Sequence, residues 1–312
     1  MIPLTAARTS RDTGPILAGD SIGRVHSVFV SAMNIQVRDG GLITLLTAPR
    51  CLYPRSILLT QDISFAEMGF LPDLRVTLSP CAIDMEGNCT VTLETAETVS
   101  LSIPPLDYTP DSAGCKRRLA ALAHVIFQGE YLEESLAPVL CSIFRDFPYS
   151  IEHNVWSRFL LPKFRALYDA ICNRQFSACR EIGGSIAGCG PGLTPASDDF
   201  LTGVFAALYG ASSAGLMDKS TAEALTTGLS HGAVPKTGII SAGFLKSGAH
   251  GQFSEDIIRL ITAFFAQENR EDISQPATDI RQTGSTSGPD TLAGIWFGLA
   301  ACFCPIWEMR SE

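Results

Sequence analysis

The sequence predicts an α+β protein: a β-rich barrel or sandwich-like domain over residues 1–105, then a mainly helical domain over residues 106–312. Three observations carry this. Short β-branched runs recur before Ile103, a proline-rich connector follows, and beyond it apolar residues recur at three- and four-residue spacing. With 46 % hydrophobic residues in 312, there is material for a core in each part.

The β elements come first. "GRVHSVFVSAMNIQV" is rich in β-branched residues and ends at Asp39-Gly40-Gly41, a hairpin-type turn. "LITLLT", "SILLT", "RVTLS" and "CTVTLETAETVSLSI" follow, separated by Pro, Gly and Asn. Strands this short and this closely spaced suggest a small barrel or sandwich. The opening "MIPLTAARTSRDTG" reads as polar and irregular, with no charged segment leading into an apolar one. The expected compartment is therefore the cytoplasm, where ten cysteines without a C-x-x-C pair are expected to stay reduced. Cys302 and Cys304 read as core thiols, and Cys189 as a small residue in a tight turn.

"IPPLDYTPDSAG", from Ile103 to Gly114, is the connector and the candidate boundary. "CKRRLAALAHVIFQ" and "NVWSRFLLPKFRALYDAIC" are helical in pattern, and Pro162 is expected to kink or split the second. Further helices are expected near 195–210, 219–230, 237–248, 253–268 and 289–303, with the polar "NREDISQPATDIRQTGSTSG" between the last two. The uncharged runs Phe200–Met217 and Leu292–Trp307 contain Gly and small residues, so they are expected as buried helices and not membrane spans. A formal charge of −9 argues against a nucleic acid or an anionic membrane as the main partner.

"GCGPGLTPASDDFLTG", Gly188 to Gly203, is the segment with the most chemistry. Gly188, Gly190 and Gly192 alternate around Cys189 and Pro191, which lets a ligand approach the main chain. Thr194 reads as an N-cap, Pro195 as the first helical residue, and Asp198 and Asp199 fall in the first turn. Phe200, Leu201, Val204, Phe205 and Leu208 form the buried stripe. A glycine loop feeding a helix N-terminus presents free N–H groups and suits a small anion. It is neither a P-loop, since no Gly-Lys-Ser/Thr follows, nor the G-x-G-x-x-G fingerprint.

The aspartates complicate an anion site, and no Lys or Arg occurs between Arg180 and Lys219. Either a cation intervenes, or Lys236, Lys246, His250 or Arg281 arrive from other segments, or the aspartates accept hydrogen bonds from a ligand. Neighbouring helical residues point about 100° apart, so one of the pair faces the ligand. Asp199 is assigned that role and Asp198 a structural one.

"GSTSGPDTLAG", Gly284 to Gly294, repeats the form D-x-L-x-G at Asp290, with Pro289 as the expected first helical residue. If both helix starts face one cleft, Asp199 and Asp290 are its catalytic carboxylates. Gly190, Gly192, Thr194, Ser197, Thr286 and Ser287 then line it, with Lys236 and Ser241 contributed by "KTGIISAGFLKSGAHGQF".

These two motifs resemble the G-x-GPGLTP-x-x-DD-x-L-x-G and G-x-TSG-x-D-x-L-x-G signatures of the AllH family. Thr237, Ser241, Leu245 and Gly251-Gln-Phe253 are similar to the family's intervening segment, and the resemblance runs from about residue 183 to 300. Ser285 stands where a family member carries histidine. The resemblance implies a subunit of a carbamoyltransferase complex of allantoin degradation, within purine catabolism and nitrogen metabolism. That enzyme interconverts oxalurate plus phosphate with oxamate plus carbamoyl phosphate, so the implied partners are other carbamoyltransferase subunits and these small anions. No cofactor is implied. Two other readings stand beside it: a ligand-binding or architectural subunit whose partners hold the chemistry, and a phosphotransfer enzyme using Mg²⁺ on Asp198 or Asp199.

Overall fold

The computed structural model describes residues 2–303 except 87–88, 129–131, 145–146, 148, 150–151, 153 and 268–271. Cys304, Pro305 and Trp307 lie outside the described residues, as do residues 269–271 at the start of the polar stretch. The chain divides into two compact units, Met1–Leu101 and Ser102–Glu312.

The first unit consists of β1 (Ile2–Ser10), a single helical turn α1 (Gly14–Leu17), β2 (Ser21–Val28), β3 (Ala32–Gln36), β4 (Leu42–Leu46), β5 (Ser56–Leu59), β6 (Arg75–Leu78), β7 (Ala82–Met85), β8 (Cys89–Thr92) and β9 (Glu97–Val99). Eight strands close into a barrel in the order β5-β4-β3-β2-β6-β7-β8-β1, with β1 returning to β5. β1 makes the closure by serving three partners. It pairs parallel with β8 near its start, parallel with β9 near its end, and antiparallel with β5. The sequence reading missed this strand, because from Pro3 onward the buried residues are Leu4, Ala6 and Ser10, with small or polar residues between them. The barrel interior is filled by apolar residues on alternate strand positions, among them Val25, Ile35, Ile43, Leu45, Val76 and Val91. The Asp39-Gly40-Gly41 turn joins β3 to β4 as expected, with Gly40 at φ 78° and the Gly41 N–H donating to Asp39 Oδ1 at 2.8 Å. Asn34 is buried in β3 and satisfied there: it donates to Ser27 Oγ at 2.9 Å and accepts from Thr44 Oγ1 at 2.7 Å.

The second unit is helical: α2 (Ser112–Phe127), α3 (Pro138–Ile143), α4 (Val155–Cys172), α5 (Phe176–Ile186), α6 (Ala196–Ser213), α7 (Lys219–Ala233), α8 (Ile239–Ala249), α9 (Glu255–Phe264), α10 (Ser274–Arg281) and α11 (Ser287–Cys302). Side-chain caps start two of them: Asp111 accepts from the Gly114 N–H and Asn154 from the Ser157 N–H, each at 2.7 Å. Pro162 does not split α4, which runs unbroken through it. The buried stripe of Leu160, Phe164, Leu167 and Ile171 outweighs the one backbone bond that proline removes.

Three helices escaped the periodicity. α10 lies inside the stretch read as polar because its buried face is only Ala277 and Ile280. α3 is little more than a turn. α5 contains Gly183 and Gly184, poor helix formers whose absent side chains let α7 close in: a methyl on Gly183 would sit 2.1 Å from the Leu229 carbonyl oxygen. At the centre, α6 and α11 are buried nearly all round, and the Trp296 indole N–H donates to the Leu119 carbonyl at 2.8 Å. Among the described residues no helix is long and apolar enough to cross a membrane.

Candidate functional site

α6 and α11 meet through glycine. A methyl on Gly203 would lie 2.1 Å from the Thr291 carbonyl oxygen, and one on Gly294 would lie 2.0 Å from that of Phe200. In each D-x-L-x-G motif, then, the glycine rests on the residue that follows the aspartate of the other. One turn further along, Gly298 faces Ala207, the residue at the matching place in α6. Such reciprocity requires parallel helices related by an approximate two-fold, with both N-termini at one end. Consistently, Thr194 Oγ1 and Ser287 Oγ are hydrogen-bonded at 3.1 Å across the two starts.

The capping differs from expectation. α6 begins at Ala196 with Pro195 as its cap residue, because Pro195 is extended at ψ 139° and cannot be the first helical residue. Thr194 therefore does not cap α6 and turns to Ser287 instead. α11 begins at Ser287, before Pro289, and Thr286 makes no side-chain cap. Gly288 allows the early start: its N–H donates to the Thr283 carbonyl at 2.9 Å, and a methyl there would lie 2.1 Å from Ile280 O.

Asp198 is a clamp. Its Oδ1 accepts from the Gly188 N–H at 2.9 Å and its Oδ2 from the Thr237 hydroxyl. Burial raises its pKa, and the hydrogen bonds from Thr237 and Gly188 oppose the rise. Ser241 Oγ is buried without a partner in good hydrogen-bond geometry, yet stands near enough to favour the charged Asp198. Ser197 is spent the same way: its N–H donates to the Cys189 carbonyl and its Oγ accepts from the Cys189 N–H at 2.9 Å. Gly190 and Gly192, at φ 117° and 95°, complete a loop that side chains would strain. Replacing Asp198 by Ala should cost about 1–3 kcal/mol in urea denaturation, from orphaned donors, whereas Asp198→Asn should cost less because the amide oxygen still accepts from Gly188.

Asp199 and Asp290 are unlike Asp198. Asp199 is half-buried. Its Oδ2 is closed off from solvent without a hydrogen-bond partner, while Oδ1, also unbonded, reaches solvent. Burial pushes its pKa up to about 7, the Ser287 and Thr194 hydroxyls oppose the rise, and the Asp198 charge adds to it. Asp290 is fully buried. Its Oδ1 accepts from the Leu136 N–H at 2.6 Å, and its Oδ2 is buried without a partner. Burial holds its pKa well above the usual carboxylate range, against the Leu136 bond and with a further push from Asp199. Leu136 belongs to no motif, so nothing in the sequence pointed to its N–H. Thr237 was visible only within the stretch around Ser241 that carries the resemblance described above.

Two family models match this chain. One, described as oxamate carbamoyltransferase subunit AllH, covers residues 186–299, which hold both helix starts. The other, the AllH family N-terminal domain, covers residues 5–98, the barrel. The chain belongs to the AllH family. No curated protein and no solved structure matches it. The family is named for a subunit of oxamate carbamoyltransferase, a transferase, so partner subunits are implied.

For this AllH-family chain the expected basic residues do not gather at the carboxyls. Lys236 is exposed, and it is its carbonyl, not its amine, that lies against Gly188. His250 is exposed with Nδ1 2.8 Å from the Lys246 carbonyl, and Lys246 is exposed too. Arg281 Nε is buried without a partner. Lys163 donates to the Ser185 carbonyl at 2.7 Å and stacks over Phe159. Among the described residues no group of three or more His, Cys, Asp or Glu is arranged to hold a metal ion. The AllH loop instead offers backbone donors: the N–H groups of Gly190, Gly192, Leu193, Thr194 and Ala196 have no acceptor among the described residues.

Proposed function

We propose that the joint start of α6 and α11 is the substrate site of a carbamoyltransferase subunit acting on oxalurate and phosphate. The observation that carries this is the Asp199 carboxyl, open at Oδ1 and unpartnered, beside a loop of unsatisfied N–H groups. Such a site takes a ligand with an anionic end and an amide end. The N–H groups of Gly190 and Gly192 and the Thr194, Thr286 and Ser287 hydroxyls meet the anion, and Asp199 accepts from the amide nitrogen.

In the reaction, a phosphate oxygen attacks the ureido carbonyl of oxalurate. The bond from that carbon to the nitrogen of the oxamate portion breaks, that nitrogen takes a proton, and carbamoyl phosphate and oxamate leave. Asp199, with a pKa near neutrality, is suited to hold and deliver that proton. Backbone donors stabilise charge on the carbonyl oxygen and the transferred phosphate. On this reading the protein works in the cytoplasm, in allantoin degradation, and its turnover needs partner subunits.

The test is the assembled complex carrying Asp199→Asn. Loss of a positioned acid–base group should lower kcat by about 10²–10⁴-fold, with the fold intact by circular dichroism. The isolated chain should show little turnover. A complex with Asp199→Asn that works at the wild-type rate would overturn the site.

A further inference from the structure

Two buried carboxyl oxygens without partners stand at matching places on two helices that touch. Asp199 Oδ2 and Asp290 Oδ2 are both shut off from solvent and neither makes a hydrogen bond; the hydroxyls nearest Asp199, of Ser287 and Thr194, are bonded to each other. The Gly203 and Gly294 contacts bring together the main chain just beyond these aspartates, each aspartate lies one helical turn before its glycine on the same face, and the Asp199 charge acts on Asp290. The groups that face the pair come from the loop ending at Thr194, from Ser287 at the start of α11, from Asp198 in α6 and from the Leu136 N–H. Among the described residues the charged group that acts on Asp199 is Asp198, itself acidic, and the one that acts on Asp290 is Asp199. Two charged carboxylates here would set a fully buried charge on Asp290 against a half-buried one on Asp199, an arrangement proteins relieve by a counter-ion or a proton.

We propose that the inner oxygens of Asp199 and Asp290 share one proton, with Asp290 the neutral acid that donates it to Asp199. Asp290 is the member so assigned because it is fully buried and its Oδ1 is already an acceptor for Leu136 N–H, leaving Oδ2 to carry hydrogen. Asp199 Oδ2 then becomes an acceptor with a donor, and Asp199 Oδ1 is left at the surface for a ligand. Asp290 is thus a positioning residue: it sets where the Asp199 carboxyl points and how many charges the pair carries. The shared proton does not depend on the transferase reading; the use of Asp199 Oδ1 for substrate does.

Infrared difference spectroscopy of the purified full chain tests this, reading the C=O band of a buried protonated carboxyl at pH 8, above the Asp199 ionisation. The band should be present in the wild type, persist in Asp199→Asn and vanish in Asp290→Asn. Asp290→Asn should keep the fold at neutral pH, because the amide accepts from Leu136 and donates to Asp199 as the acid does. No band in the wild type, a band surviving in Asp290→Asn, or a band lost in Asp199→Asn overturns the assignment. So does a melting temperature that rises with Na⁺, K⁺ or Mg²⁺ only when Asp290 is present, since a cation would then replace the proton. If Asp290→Asn does not fold, the wild-type and Asp199→Asn spectra still decide. None of these readouts uses transferase activity, so their failure leaves the substrate-site reading to its own test.

Discussion

Gly294→Ala should unfold the helical unit or strip it of at least the upper end of the about 1–3 kcal/mol that overpacking costs, whereas Gly243→Ala should stabilise it. Each change adds one methyl to a helix interior. By propensity alone each is favourable by roughly 0.8–1.0 kcal/mol. At Gly294 the methyl would lie 2.0 Å from the Phe200 carbonyl oxygen, which is backbone of a buried helix and cannot rotate away. Relief requires α6 and α11 to separate, uncovering Phe200, Val204, Ile295 and Trp296. At Gly243 nothing lies within 4 Å of the added carbon, so propensity acts unopposed. Thermal and urea denaturation of the two variants beside the wild type measure the contrast. Equal behaviour of the two would mean that the α6–α11 contact is not the close backbone approach described.

The second large effect is a dependence on pH with a sign opposite to that of ordinary surface aspartates. The Asp199 carboxyl ionises near pH 7 in the folded chain, against 3.8 without burial. Between those values the folded state holds more protons than the unfolded one, so this group's contribution to stability falls as pH rises from about 4 to 7. Each pH unit of displacement is worth about 1.4 kcal/mol, giving an upper bound of roughly 4 kcal/mol, reduced because Oδ1 reaches water. Asp290 carries the decline further toward alkali. Asp199→Asn removes the first part of it. The variant should match the wild type near pH 4 and exceed it in melting temperature at pH 8, while the assembled enzyme loses turnover. Stability gained with function lost is the mark of a carboxyl kept for chemistry. A variant that melts below the wild type at pH 8 would assign Asp199 to the scaffold.

Much of this was legible in the chain. Strand runs, the Asp39-Gly40-Gly41 turn and the helical stripes of α6 and α11 announce themselves because each is a local pattern. β1 was not legible, since its pairing partners β5, β8 and β9 lie far along the sequence and supply the burial its own composition does not indicate. α5 was hidden by glycines that serve the approach of α7 at the expense of propensity. At the candidate site the repeated D-x-L-x-G suggested that two helix starts belong together, and the structure places them side by side. The division of labour between Asp198 and Asp199 was an inference from the repeat, in which Asp290 echoes Asp199, and from the buried Phe200 and Leu201 that follow it. What no pattern could supply was the Leu136 N–H on Asp290, a backbone contact whose donor can be any residue but proline.

Closure of the barrel also bears on how partner subunits can attach to the N-terminal unit. A sheet with a free edge invites another chain to add a strand through main-chain hydrogen bonds. Here each of the eight barrel strands is paired on both sides, and β9 is the one described strand paired on a single side. β9 is three residues long, and its Glu97 is occupied by Arg8 at 3.5 Å. An edge so short and charged is a poor template. Any subunit that meets this barrel must therefore recognise side chains, and with them sequence, so assembly here can be tuned or abolished by single surface substitutions that leave the barrel's backbone pairing untouched.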